Sequence, residues 1–154
     1  MMRYRVATVQ DCPTLANLNY ELIRDEGHRN PMTVAQLGER MQGWLTSGEY
    51  QAILWEDNHD VVAYTLFRET EAEVYLRQFF VVRHRRREGL GRRAIKELCT
   101  QVWPRHKRWT VSVLVKNAPA VAFWRAMGYT DYALTLEIMP QAKPTPDNGN
   151  RHGA

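Results

Sequence analysis

Apolar positions in the first third of the chain repeat first with the period of a strand and then with that of a helix. Residues 3–8 alternate between apolar and polar side chains, which predicts a strand. Asp11 favours a helix start, and the leucines after it fall on one face until Gly27. Thr33 and Gln36 have capping-box spacing and begin a second apolar stripe. The chain therefore opens with one strand and two helices.

Three strand patterns and a third helix follow. The segments 52–55 and 61–67 are rich in β-branched and aromatic residues and flank a polar turn, which predicts a hairpin. A third segment of this type, 74–82, continues the meander. From Gly89 onward, apolar residues repeat at helical spacing until Pro104 prevents the helix from continuing.

The last third of the chain predicts a strand, a helix and a final strand. The short apolar segment 111–115 precedes Asn117, which favours a helix cap, and Gly128 lies just past the end of that helix. The segment 129–139 reads as the last strand. The order β-α-α-β-β-β-α-β-α-β indicates an α/β fold of the α+β type, with a mixed sheet and helices in a single domain over 1–139.

The composition is that of a globular protein, with 44% hydrophobic and 25% charged residues in a chain of 154. Residues 140–154 are rich in Pro, Asn and Gly, so we expect a disordered tail. Cys12 and Cys99 lack metal-type spacing, and we expect no metal and a reducing compartment. No apolar run approaches the roughly 18 residues of a membrane span, which predicts no membrane partner and a cytoplasmic location.

Positive charge is concentrated in one part of the chain. The net charge is +4, and arginines cluster over 83–87 and again at Arg92 and Arg93. Such a cluster favours a polyanionic partner, which includes nucleic acid, anionic lipid and phosphorylated ligands. Charge alone does not distinguish these classes of partner. The residues around the cluster give the further information that is needed.

A glycine turn, 86–91, joins the strand at 74–82 to the third helix. Glycine lets the backbone turn and approach an oxygen-rich ligand closely, and the helix start presents unbonded N–H groups. The Gly-Lys-Ser/Thr ending of a Walker loop is absent. A dinucleotide fingerprint fits formally, but the strand ends too early and the segment 109–118 has no acidic residue for a ribose. The turn predicts a phosphate site of another kind.

Two segments resemble the signatures of the GNAT superfamily, the GCN5-related N-acetyltransferases. Arg86-x-x-Gly89-x-Gly91 resembles the family's Gln/Arg-x-x-Gly-x-Gly/Ala motif. The segment 117–129 resembles its second signature, in which an Asn, an Ala and an aromatic pair precede a Gly-aromatic step. The element order agrees with the family's topology over 3–139. The resemblance implies an enzyme that transfers an acetyl group from acetyl-CoA directly to a primary amine.

The resemblance also implies which residues bind acetyl-CoA. The amides of 87–92 would surround the pyrophosphate, Arg86 would hold the loop, and Phe80 and Val81 would supply backbone donors. Asn117 would touch pantetheine or only cap the fourth helix, and both interpretations stand. The expected binding set is Phe80, Val81, Arg86, Arg87, Glu88, Gly89, Leu90, Gly91, Arg92, Asn117, Phe123 and Trp124.

The catalytic residues stay unassigned, because Trp124 stands where many family members have a tyrosine acid. The indole N–H is a donor only and too weakly acidic for that role, so we expect Trp124 to wall the pocket. The candidates for the acid are Tyr129, Tyr132, water or no dedicated group. The candidates for the base are Glu73, Glu26 and His84, but His84 is more typical of an exposed loop histidine and is not counted as catalytic.

The acceptor and the partners are open. Tyr20, Glu21, Asp25 and Glu26 form an acidic stretch that either attracts a cationic amine or is a solvated helix face. A CoA-binding sensor without turnover is the first alternative. A basic nucleic-acid module is the second, but it leaves the glycines unexplained, so we expect no nucleic-acid partner. Exposed apolar surface would support a homodimer, which the sequence alone does not reveal.

Overall fold

The computed structural model of the protein describes residues 1–143. Five strands and four α-helices make up the fold of this part of the chain, and a π-helical turn extends the third helix. The elements are β1 (Met2–Val6), α1 (Cys12–Glu26), α2 (Val34–Ser47), β2 (Gln51–Asp57), β3 (Asp60–Glu69), β4 (Glu73–Val81), α3 (Leu90–Glu97) with its extension (Leu98–Val102), β5 (Arg108–Val111) and α4 (Ala118–Ala126).

The five strands form one mixed sheet in the order β1-β2-β3-β4-β5. The first four are antiparallel to their neighbours, and β4 and β5 are parallel. Asn58 and His59 join β2 to β3 with φ angles of 52° and 70°, the left-handed conformation of a tight hairpin turn. The predicted fold class, a mixed sheet with helices, is confirmed.

The helices cover both faces of the sheet. Gln78 of β4 is bonded to Asn19 of α1, whereas the next residue, Phe79, packs on Trp124 of α4. Successive side chains of a strand point to opposite faces, so α1 and α4 lie on opposite sides of β4. Leu15, Leu37 and other buried side chains fill the layer between the helices and the sheet.

The capping signals for α2 are confirmed. The Thr33 hydroxyl accepts from the amide of Gln36 at 3.2 Å, and the Gln36 side chain accepts from the amide of Thr33 at 2.9 Å. Gly48 ends the helix with φ of 77°. These local rules place α2 where its apolar stripe packs on the sheet.

The fourth predicted strand is shifted along the chain. The sequence predicts it over 111–115, but β5 spans Arg108–Val111. It pairs with the first half of β4 and stops where β4 carries an extra residue, Arg77. β5 lies at the sheet edge, where polar residues are tolerated. Those polar residues are the reason why the apolar pattern of the sequence did not predict a strand there.

The final predicted strand, 129–139, does not form within this chain. Residues 130–143 have no regular structure and are exposed. An alternating pattern marks strand propensity but cannot supply the neighbouring edge that a strand needs. The predicted disordered tail falls mostly on residues 144–154, which lie outside the described residues.

None of the helices in residues 1–143 is long and apolar enough to cross a membrane. That same part of the chain holds no cluster of three or more His, Cys, Asp or Glu side chains able to bind a metal ion.

Candidate active site

A gap opens between β4 and β5 halfway along β4. The two strands are paired from Glu73 opposite Arg108 to Leu76 opposite Val111. Arg77 is then inserted as a bulge, because Leu66 pairs with Gln78 while Phe67 pairs with Leu76. Beyond it, β4 continues beside β3 alone, which leaves its other edge without a strand partner in the described chain.

The backbone of β4 presents alternate amides to this gap. The amide of Val82 donates to the carbonyl of Val62 at 2.9 Å, and Tyr64 pairs with Phe80 two residues further on. Hydrogen-bonding direction alternates along a strand, so the amide of Phe80 also points to β3 and that of Val81 points to the gap. The expectation that the Phe80 amide faces the gap is therefore wrong. The amides that face the gap are those of Val81 and Phe79.

The glycine turn carries a run of amides without acceptors. Arg87 and Gly89 have φ angles of 66° and 78°, so the chain turns through two left-handed residues before α3 begins. No backbone or side-chain acceptor within residues 1–143 bonds the amides of 87–92. Six N–H groups at a helix start, together with the positive end of the helix dipole, suit a pyrophosphate.

Gly91 of α3 lies close to Val81 of β4 and to Phe123 of α4. A Cβ built at this residue would stand 3.5 Å from the Phe123 ring and 3.6 Å from the Val81 side chain, which is ordinary van der Waals contact. The missing side chain therefore leaves room between β4 and α4 rather than relieving a clash. This agrees with the Gly/Ala tolerance at that place of the motif.

Asp25 of α1 holds the basic loop against the domain. Arg86 donates through Nη2 to Asp25 at 2.8 Å and through Nε to the Val81 carbonyl at 2.9 Å, and Arg83 also pairs with Asp25. Burial would raise the pKa of Asp25, but hydrogen bonds from Arg86 and Arg83 outweigh it and lower that pKa. The carboxylate is therefore committed to the loop and is not a free acidic group for a substrate.

Only two arginines of the cluster keep free charge at the turn. Arg85 pairs with Asp57 at 2.9 Å and with Glu88 at 3.0 Å, and Arg93 lies 3.6 Å from Glu97. By contrast, Arg87 and Arg92 form no ion pair with any carboxylate of residues 1–143. They are the two side chains best placed to bind phosphate groups at the glycine turn.

Aromatic rings of β4 and α4 pack together on the α4 side of the sheet. The ring centroid of Phe79 lies 6.1 Å from that of Phe123 and 5.8 Å from that of Trp124. Trp124 is buried and packs at 5.4 Å on Tyr129. The expectation that Trp124 is a packed wall agrees with this placement.

Tyr129 has a buried hydroxyl with no hydrogen-bond partner in the described chain. Burial raises its pKa well above the ordinary value, so the hydroxyl is a weaker acid than that of an exposed tyrosine. An unbonded donor behind the aromatic wall is unusual in a folded protein, since buried polar atoms nearly always find partners.

The other catalytic candidates lie elsewhere. Glu73 begins β4, pairs with Arg108 at 3.0 Å, and is eight residues from Val81, so the geometry does not bring it to the gap. Glu26 is 2.8 Å from the ring of His28. Asn117 accepts from the amide of Ala120 at 3.3 Å, so it caps α4.

The structure reveals a polar network that the sequence did not indicate. Tyr64 donates to Gln78 at 2.9 Å, and Gln78 donates to Asn19 at 3.3 Å, all of them buried between the sheet and α1. Burial raises the pKa of Tyr64 well above its usual range. In the sequence, each of these residues is only a polar position within an apolar segment. Such positions do not predict that the three side chains contact one another.

Comparison with known proteins gives a family for this geometry. The model of the Acetyltransferase (GNAT) family matches residues 16–129. A possible acetyltransferase from Clostridium difficile 630 is 16% identical with a TM-score of 0.74, and the match covers 92% of this chain and 99% of that chain. A comparison with curated protein sequences finds no match.

Two further solved structures share the fold. A predicted acetyltransferase from Clostridium acetobutylicum, solved with acetyl-CoA, is 17% identical over 90% of this chain and 96% of that chain, with a TM-score of 0.69. An aminoglycoside acetyltransferase from an uncultured soil metagenomic sample, solved with sisomicin, is 14% identical over 92% and 97%, with a TM-score of 0.69. With the family model matching most of its length, the chain belongs to the GNAT family of acetyltransferases.

Proposed function

We propose that the protein transfers an acetyl group from acetyl-CoA directly to an amine. The observation that carries this proposal is the run of six amides over 87–92 that have no acceptor within residues 1–143, soon after the half of β4 that does not pair with β5. Arg87 and Arg92 would bind phosphate oxygens beside them. The amides of Phe79 and Val81 would bind the pantetheine arm and the thioester carbonyl, so the acyl group would lie in the gap.

In the proposed reaction, the neutral amine attacks the thioester carbonyl carbon and forms a C–N bond. The C–S bond then breaks, the sulfur leaves as a thiolate, and the proton lost by the amine balances the one that the thiolate gains. A backbone donor at Val81 would stabilise the negative charge that develops on the carbonyl oxygen. Tyr129 is the proposed proton donor to sulfur, because its buried hydroxyl has no hydrogen-bond partner within residues 1–143.

A cytoplasmic location is part of the same proposal. Cys12 and Cys99 are free thiols, as expected in a reducing compartment.

The proposal is tested by thermal melting with and without excess acetyl-CoA, followed by thiol release across a panel of amines. Binding to the native state raises the melting temperature by linkage. The expected result is a higher melting temperature together with amine-dependent thiol release. A shift without release from any amine would favour the CoA-binding sensor, and no shift at saturating acetyl-CoA would overturn the proposed site.

A further inference from the structure

Two arginines, one of α2 and one of β4, stack on the same tryptophan. The guanidinium carbons of Arg40 and Arg77 lie 4.5 Å and 4.7 Å from the ring centroid of Trp44. Arg77 also donates to the hydroxyl of Tyr50 at 3.2 Å. Stacking on aromatic rings fixes the two planar groups in place without neutralising them.

Neither of these arginines is neutralised. No carboxylate within residues 1–143 forms an ion pair with Arg40 or Arg77, although most other arginines in that region have one. Burial, and then the charge of Arg77, lower the pKa of Arg40. Two neighbouring positive charges without a counter-charge repel each other, so an anion bound between them would stabilise the arrangement.

Two buried donors next to these charges lack acceptors. Asn19, whose exposed fraction is 1%, has no partner for Nδ2, and Arg40 has none for Nε within the described chain. The Asn19 oxygen is 3.4 Å from Nη2 of Arg40, so the two unused donors belong to neighbouring side chains. Buried donors without acceptors are unfavourable, which points to an oxygen ligand.

The position of this cluster connects it to the transfer site. Arg77 is the bulge residue of β4, directly after Leu76, where pairing with β5 ends. The cluster contacts α1 and α2, so it is on the face opposite Phe123 and Trp124. An amine that approaches the thioester from the α1 and α2 side would therefore pass beside Arg40 and Arg77.

We infer that Arg40, Arg77 and Asn19 bind a carboxylate of the acceptor, so that the substrate is an amine that also carries a carboxylate group, as in a free amino acid. This inference rests on the proposed function. The acidic stretch of α1 suggested a cationic acceptor instead. Two of its carboxylates are already paired, Asp25 with arginines and Glu26 with His28.

The test compares matched acceptors that differ only at the carboxylate. Amino acids and their amides are assayed with saturating acetyl-CoA. The expected preference for the free acid is at least about tenfold in kcat/KM, as for the loss of one charge-assisted hydrogen bond of about 1.5 kcal/mol. Arg77→Gln and Arg40→Gln are expected to lower kcat/KM for the free acids by at least about tenfold more than for the amides, so that the preference disappears.

Arg105→Gln is the matched control, since it removes one exposed arginine that forms no ion pair within residues 1–143. It keeps the preference. Equal rates with acids and amides in the unaltered protein, or equal losses for both in Arg77→Gln, overturn the inference. Acetyl-CoA melting shifts are measured in the same samples, so a failure of donor binding is distinguished from a failure of the carboxylate site.

Discussion

At the scale of single residues, Gly89 illustrates what sequence can and cannot tell. The motif predicted a backbone turn that glycine favours, and φ of 78° agrees. The motif could not distinguish Phe79 from Phe80 as a donor to the gap. Which of the two amides faces the gap depends on the register in which β4 pairs with β3, and the sequence of β4 alone does not give that register.

Gly89→Ala tests the turn. An alanine in the left-handed region costs about 1–2 kcal/mol, so the free energy of unfolding falls by about that much and acetyl-CoA binds more weakly. Gly43→Ala is the control, because its Cβ meets nothing within 4 Å and its φ is helical. The control keeps its affinity. Equal acetyl-CoA affinities for both variants in calorimetric titration would contradict the role of the turn.

Asp25→Asn tests how the loop is held. The folded pKa of Asp25 is lowered, so its contribution to stability is present above its unfolded pKa, about 4, and disappears as pH falls through the folded value. Melting curves from pH 3 to 7 should therefore fall less steeply on the acid side in Asp25→Asn, which starts less stable at pH 7. Glu49→Gln removes an exposed pair at 3.9 Å and should change neither property.

Tyr129→Phe separates chemistry from packing. Removing an unbonded buried hydroxyl should raise the free energy of unfolding by about 1 kcal/mol. If the hydroxyl protonates the leaving sulfur, kcat falls by about 100-fold while acetyl-CoA affinity is unchanged. A more stable variant with normal kcat would remove Tyr129 from the mechanism and leave solvent as the proton donor.

At the scale of elements, the glycine turn and the α4 signature were predictable because each follows local rules of capping and turning. The first and last residues of β5 were not predictable. The apolar segment 111–115 looked like the strand, but pairing with β4 lies over Arg108–Val111. The bulge at Arg77 ends this pairing, and one extra residue in a strand leaves no mark in an apolar pattern.

Asn117→Ala tests the helix cap of α4. Loss of the bond to Ala120 should lower the free energy of unfolding by about 1 kcal/mol, whereas Asn117→Asp, which caps equally well, should not. Denaturant titration gives the stability, and acetyl-CoA titration of Asn117→Asp gives the second role. Normal stability with weaker acetyl-CoA binding in that variant would mean that Asn117 also contacts the donor.

At the scale of the whole molecule, the predicted order of elements is confirmed as far as α4. The last strand was predicted from true strand propensity, but its pairing edge is not a property of the segment itself. The effect of the basic cluster also depends on the whole fold. The sequence indicated a basic cluster, while the structure pairs Arg83, Arg85 and Arg86 with carboxylates, which weakens the case for a nucleic-acid surface.

The most direct test of the central claim is a titration of ¹⁵N-labelled protein with CoA, followed by two-dimensional NMR. The amides of 87–92 and of Val81 should shift together, because they would bind the pyrophosphate and the pantetheine arm. Shifts that avoid the glycine turn, or none at saturating CoA, would contradict the account of how this GNAT acetyltransferase binds its donor.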